Sequence, residues 1–506
     1  MVDAQKVKEF QEYITIGMQR DQYEYVKDSL EKFERFLGKE IDQEMSAWIT
    51  KRREELKNIE PVKHRNSTIA KQDYEVIIEL EKKINKNIEE IKDISWELVG
   101  MKVSNRRVVG LTLYNCGLKE LPSNFSQLTK IRVLSLFGNE FDNVPKEICS
   151  LYNLKALNLG RNNIKTITDE LACIVGLEVL DLSCNQLSTL PDIFKSFSEL
   201  FRTYLYENQI ESLPPSFTEL KKLEILNIGW NKLKELPENI GDLTNLKKLF
   251  IYSNSISNLP DSFGLLSNLN YLDISDNALT KLPQTITTLT SLEYLDISTN
   301  KLKELPNSIC DLVLLKHLDC STNTLEFLPF NFGRLNKIEY LDLGENTLSS
   351  LPESIGELKN LKQMYLYENQ LITLPETIGS LVSLQILDVS LNRIESLPSG
   401  LGKLKNLGEL YIFNNGFKSV PESLEKLDSL VRLEIQNNPI NELPKAIVGM
   451  DSMKTLVIDK FQKIHFEDTL QQLQTKKVKI VTSTDNETFV YLTTYVAPDF
   501  DYYFER

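Results

Sequence analysis

The feature that most constrains this chain is a spacing. Asn277 to Asn300 reads N-A-L-T-K-L-P-Q-T-I-T-T-L-T-S-L-E-Y-L-D-I-S-T-N, and the pattern returns every 23 residues without insertion or deletion. Going backward, the asparagine position falls on Asn254, Asn231, Asn208, Asn185, Asn162, Asn139 and finally Cys116. Going forward it falls on Asn323, Asn346, Asn369, Asn392, Asn415 and Asn438. Fifteen registers of so short a unit leave few folds open. An L-x-L strand alternates, so Leu295 and Ile297 share one side and Asp296 and Ser298 the other. It cannot bury its apolar side alone, so repeats must stack in parallel, with Leu318 and Cys320 on one flank and Leu272 and Ile274 on the other. The Asn amide carries donors and an acceptor, and is expected to bond backbone groups that the inward turn would otherwise orphan. Pro follows the third apolar position in every register except that of Thr168. It fixes φ and lacks an N–H, which suits a turn away from the sheet.

The motif L-x-x-L-x-L-x-x-N/C-x-L, followed by L-P-x-x-I-x-x-L, resembles the leucine-rich-repeat family over roughly Val103 to Leu473. This repeat form is similar to the Ras-binding, phosphatase-recruiting scaffolds, their plant intracellular relatives and many bacterial proteins. The resemblance implies an α/β fold: a right-handed solenoid, or horseshoe, with one continuous parallel sheet on its concave face and an α-helical module before it. It also implies protein binding on that face without catalysis.

Three segments are expected. Residues 1–98 read as a helical bundle or N-terminal cap, with an independent docking module as the other reading. Its four amphipathic faces are Val7, Phe10, Ile14; Val26, Leu30, Phe33, Leu37; Ile41, Met45, Ile49, Leu56; and Ile77, Ile84, Ile88, Ile91, Leu98. Asp21 is placed to cap the second helix and Gly38 to close it. Residues 99–452 hold the repeats, led in by one extra strand near Trp96–Val109. Thr203 and Cys320 stand out where larger aliphatics are the rule. Residues 453–506 hold a degenerate last repeat, a final strand near Lys476, and an aromatic, acidic tail from Thr488 that should fold back.

The informative surface is the polar side of the strands. Its two columns covary: aromatic meets aromatic at Tyr204/Tyr206, Phe250/Tyr252, Tyr365/Tyr367 and Tyr411/Phe413. Between the second and third pairs lie four consecutive aspartates, Asp273, Asp296, Asp319 and Asp342, beside Tyr271, Tyr294, His317 and Tyr340. Trp230 flanks the first aromatic group. At a strand spacing of about 4.8 Å the carboxylates form a like-charge ladder. Charge along the face runs from a slight basic excess in early registers to an acidic excess in later ones. A protein partner with a basic patch is therefore expected, its apolar groups resting on the aromatics.

Composition bounds the alternatives. With 41% hydrophobic and 26% charged residues, the chain can build a core but has no stretch of membrane-spanning length. A net charge of −14 disfavours nucleic acid and anionic membranes. The first residues carry no apolar leader, and all six cysteines sit inside repeats, whereas extracellular relatives usually close their ends with disulfide caps. A cytoplasmic location is expected. No G-x-x-x-x-G-K-[ST], H-E-x-x-H, C-x-x-C or G-x-S-x-G motif is present, and His64, His317 and His465 have no ligand spacing. No catalytic residue, metal or cofactor is expected. Lys463-Ile464-His465-Phe466 fits the pattern that docks protein phosphatase-1, although Phe466 also occupies an apolar register. The reading is a non-catalytic binding scaffold or adaptor. Its rivals are an effector of the ubiquitin-ligase type and a surface or immune receptor.

Overall fold

The computed structural model describes residues 4–38, 43–420 and 422–483, in which the chain divides into two units meeting at Gln209 and Ile210. The first unit opens with α1 (Ala4–Gln19), α2 (Tyr23–Leu37) and α3 (Gln43–Asn58). Their apolar faces meet in one cluster of Ile14, Val26, Leu30, Phe33, Leu37, Ile49 and Leu56. The Phe33 ring lies 5.3 Å from Phe10 and edge-on to Trp48 at 5.8 Å. Ile41 falls outside the described residues.

Two expectations for this region are corrected. Asp21 does not cap α2; it sits in the left-handed region at φ 55°, and Gln22 precedes the helix without a side-chain cap. The fourth helix is also shorter than its apolar spacing suggests. A hairpin of β1 (Pro61–His64) and β2 (Ser67–Ala70) comes first, and α4 (Lys71–Ile84) then stops at a left-handed Asn85. Beyond it the chain is irregular: the Ile91 N–H donates to the Met101 carbonyl at a single bridge, and Leu98 is exposed. Ile88, Ile91, Ile94 and Leu98 keep a helix-like spacing of three or four residues, but the chain there runs through bends and turns with a single bridge, so spacing alone misleads.

The lead-in adds one extra strand, antiparallel to the strand of the first repeat. β3 (Val99–Ser104) runs antiparallel to β4 (Arg107–Leu113) through left-handed Asn105 and Arg106, the geometry of a tight hairpin. β4 then pairs in parallel with β5 (Val133–Ser135), followed by β6 (Ala156–Asn158), β7 (Val179–Asp181) and β8 (Arg202–Tyr204). Arg107 ties the helical module to this first repeat. Its Nε and Nη2 donate to the two carboxylate oxygens of Asp73 at 3.0 Å, and its Nη1 donates to Asp21 at 2.8 Å. A buried fork of this kind fixes geometry as well as charge.

The second unit holds β9 (Ile225–Asn227), β10 (Lys248–Phe250), β11 (Tyr271–Asp273), β12 (Tyr294–Asp296), β13 (His317–Asp319), β14 (Tyr340–Asp342), β15 (Gln363–Tyr365), β16 (Ile386–Asp388), β17 (Glu409–Tyr411) and β18 (Arg432–Glu434). All are parallel, each pairing with the residue 23 positions on. The central residues Leu249, Leu272, Leu295, Leu318, Leu341 and Met364 are wholly buried. Asn300 shows the asparagine ladder at work. Its Oδ1 accepts from the Leu279 N–H at 2.9 Å, and its Nδ2 lies 3.0 Å from the Ile274 and Ser298 carbonyls and 3.2 Å from that of Ile297. Pro283 opens a short 3-10 turn, Gln284–Thr288, whose Ile286 N–H returns to the Pro283 carbonyl.

β19 (Thr455–Ile458), α5 (Lys460–His465), α6 (Glu467–Thr475) and β20 (Lys479–Thr482) close the described chain, with β20 parallel to β19. The aromatic tail from Thr488 lies outside the described residues. Thr203 is fully buried at a leucine position, and its hydroxyl finds no partner among the described residues.

Candidate binding face

Each three-residue strand turns one side chain into the core and its two neighbours to the opposite side. In β11 to β14 the first of these neighbours is a ring and the second a carboxylate. Because the pairing is in register, Tyr271, Tyr294, His317 and Tyr340 fall one beside the next. The rings stack nearly parallel: Tyr271 on Tyr294 at 4.0 Å, Tyr294 on His317 at 4.2 Å and His317 on Tyr340 at 4.2 Å, with interplanar angles of 5–8°. These separations are shorter than the strand spacing of about 4.8 Å, so the rings lean together. At either end the ring comes from the carboxylate column instead. Phe250 meets Tyr271 at 4.8 Å and 40°, and Tyr365 meets Tyr340 at 5.6 Å and 46°. The result is a rigid, half-buried row running from Phe250 to Tyr365. Burial holds His317 down at about 4, so it is neutral near pH 7, and raises the tyrosine hydroxyls, first by desolvation and then by nearby carboxylates.

The aspartates differ from expectation. They face the same side as the rings, yet they are not an exposed ladder. Asp273 and Asp342 are 1% exposed and Asp296 8%, with Asp319 also largely covered. Neighbouring rings and hydroxyls close over them, a depth that strand alternation does not encode. One oxygen of each is used locally. Asp296 Oδ1 accepts from the Ser298 N–H at 2.9 Å and its hydroxyl at 2.6 Å; Asp273 with Ser275 and Asp319 with Ser321 repeat the arrangement. Asp342 accepts from the Gly344 N–H and from the Tyr340 hydroxyl. Oδ2 of Asp273, Asp296 and Asp319 accepts no hydrogen bond among the described residues. Desolvation, and for Asp296 the charges of Asp319 and Asp273, hold these carboxyls above the ordinary carboxylate range.

The other expected contacts spread differently. Trp230 is 60% exposed at a left-handed turn. Tyr252 lies flat over Gly229, and the nearly buried Tyr367 over Gly344; a Cβ at either glycine would meet the ring at 2.6 or 2.3 Å. This explains why Gly in one repeat accompanies Tyr in the next. Tyr411 donates to Glu409, and Phe413 is buried. Tyr204 and Tyr206 belong to the first unit, where Tyr204 is buried in register with Asp181.

The acidic excess also shrinks. Glu293 and Glu339 are ion-paired to Lys316 at 2.8 Å and Lys362 at 2.6 Å, and the buried Glu434 accepts from Arg432 Nε at 2.8 Å. Asp276, Glu345 and Glu368, exposed on the opposite edge of the ring row, form no ion pair among the described residues. Lys463–Phe466 lies at the end of α5, where Lys463, Ile464 and His465 are exposed but Phe466, the aromatic that the docking pattern needs, is 2% exposed and held in the core. No group of metal-ligating side chains is found among the described residues, nor any helix long and apolar enough to cross a membrane.

Against known proteins, a model described as a leucine-rich repeat region matches residues 225–300 and 261–365, and a leucine rich repeat model matches 129–187 and 175–233. A Leptospira interrogans protein with these repeats is similar at 28% identity and TM-score 0.64, over 73% of this chain and 94% of that one. A TDR receptor is similar at 30% identity and TM-score 0.62, over 70% of this chain and 64% of the receptor. The TLR13–ssRNA13 complex is similar at 25% identity and TM-score 0.54, over 71% and 58%. No curated protein matches the sequence.

Proposed function

We propose that this chain, a leucine-rich-repeat solenoid preceded by a helical module, is a non-catalytic cytoplasmic adaptor that binds a protein partner across the ring row of its second unit. Leucine-rich-repeat proteins generally mediate protein–protein interaction, and that is the premise. The observation that carries the reading is the stack from Tyr271 to Tyr340, flanked by Phe250 and Tyr365. Pre-ordered aromatics lose little side-chain entropy on binding and are typical hot-spot residues. The partner carries basic groups toward Asp276, Glu345 and Glu368, an edge that repels the phosphates of nucleic acid.

Cysteine chemistry supports the absence of catalysis. Burial pushes Cys310 up to about 11 and, with Glu207, Cys184 up to about 12, away from a thiolate nucleophile. A receptor role draws on the TDR similarity. Six free thiols without a disulfide favour the cytoplasmic reading.

The test uses the full chain as bait in a cytosolic extract, beside Tyr294→Ala with His317→Ala. A control, Phe330→Ala, alters an exposed residue outside the ring row. A partner retained by the parent and the control but lost from the ring variant supports the reading. Equal retention by all three overturns it.

A further inference from the structure

We propose that the carboxylates of Asp273, Asp296 and Asp319 form the seat for one basic side chain of the protein partner, and that seating it releases protons from the row. The inference rests on the ring row being the partner surface and adds what recognises the partner there.

Three observations combine. Each carboxylate is held in place by a serine through Oδ1, while Oδ2 accepts no hydrogen bond among the described residues. These are therefore fixed acceptors with spare capacity, at nearly dry positions. They sit on consecutive strands about 4.8 Å apart, a spacing that the donors of one guanidinium or ammonium can bridge. Of the nearby cations, Lys316 is engaged with Glu293 and Lys362 with Glu339, while Lys248 lies over the Tyr271 ring, 6.0 Å from its centroid, at one end of the row. The exposed edge beyond the row is acidic, so the charge complement comes from outside. A cation favours the charged carboxylates, so any protons they hold leave when it binds.

The titratable groups facing the row are Tyr271, Tyr294, His317, Tyr340 and Tyr365 on one side and Asp342 and Asp388 along it. Lys248 lies over the Tyr271 ring, and Glu293, Lys316, Glu339 and Lys362 lie beyond the rings. His317 stays neutral above about pH 5, and the phenols keep their protons through neutrality. Proton release between about pH 5 and 7.5 would therefore come from the carboxylates.

The probe is a tri-arginine peptide, with tri-citrulline as its neutral isostere, titrated into the full chain by calorimetry in two buffers of different ionisation enthalpy. The expected result is binding of the arginine peptide alone, net proton release on binding, and about tenfold tighter binding at pH 7.5 than at pH 5. Asp296→Asn with Asp319→Asn keeps the acceptors for serine and should remove both the proton release and most of the affinity. Glu345→Gln with Glu368→Gln serves as the control for general attraction and should keep the proton release. The seat is overturned if the Asn variant binds like the parent, or if binding releases no protons. If the Asn variant still captures the partner while Tyr294→Ala with His317→Ala does not, the ring surface stands and the carboxylate seat fails. If neither variant loses the partner, the surface itself fails.

Discussion

Two polar ladders climb this sheet at the same 23-residue step, and they are treated in opposite ways. The asparagine ladder is saturated: Asn300 accepts from one N–H and lies within donating distance of three carbonyls, and Asn277, Asn323 and Asn346 repeat the arrangement. A few residues earlier, the aspartate row is nearly as buried, yet each Oδ2 of Asp273, Asp296 and Asp319 has no donor among the described residues and like charges as neighbours. One ladder converts buried polarity into stability. The other holds charge where it is costly, and proteins tend to keep such arrangements where function needs them.

Removing the saturated ladder should have the largest effect. Asn300→Ala leaves buried backbone groups unpaired and should lower stability by about 2–3 kcal/mol in urea unfolding. An unchanged midpoint would erase the contrast. Next comes the cover of the second ladder. Tyr294→Ala with His317→Ala breaks the stack and should cost about 2 kcal/mol, while water reaches Asp296 and brings its carboxyl toward the ordinary range. Asp296→Asn should go the other way. A carboxyl whose proton is held more tightly in the folded than in the unfolded state is most favourable at low pH. Its contribution is lost as pH rises through the folded value. The variant should therefore match the parent near pH 4 or below and exceed it by about 1 kcal/mol near pH 7. A smaller gain at pH 7 than at pH 4 would reverse the assignment of cost. The smallest effect belongs to the exposed edge. Glu345→Lys with Glu368→Lys should change stability by less than about 0.5 kcal/mol. It should slow partner association in stopped-flow measurements, and do so less at high salt.

Much of this was legible in the sequence, and the reason is periodicity. A fixed step of 23 residues determines which side chains share a column, so the ring neighbours, the Asn contacts and the Pro turns follow from position alone. Depth does not. Alternation states which side Asp296 faces but not that rings close over it, and so an acidic surface was expected where the carboxylates are covered. The flanks lack a repeat to check against, which is why the β1–β2 hairpin and the early end of α4 were hidden. A second outer ladder was also missed. Asn245, Asn268, Asn360 and Asn406 each donate to a carbonyl 24 residues back, but the sequence offers a similar polar residue at many such positions. The residue before each ladder Asn is left-handed even where it is Thr299, Thr322 or Leu391, types that avoid that conformation, so composition gave no sign of it.

The contrast between the ladders rests on the protonation of four carboxyls, and that can be observed directly. Carbon NMR of the full chain, labelled at aspartate carboxyl carbons and assigned through Asp→Asn variants, follows Asp273, Asp296, Asp319 and Asp342 across pH. The account predicts overlapping titrations above the ordinary aspartate value of about 3.9, with Asp319→Asn lowering those of Asp273, Asp296 and Asp342. Four independent titrations at or below that value, unmoved by the substitution, would contradict it.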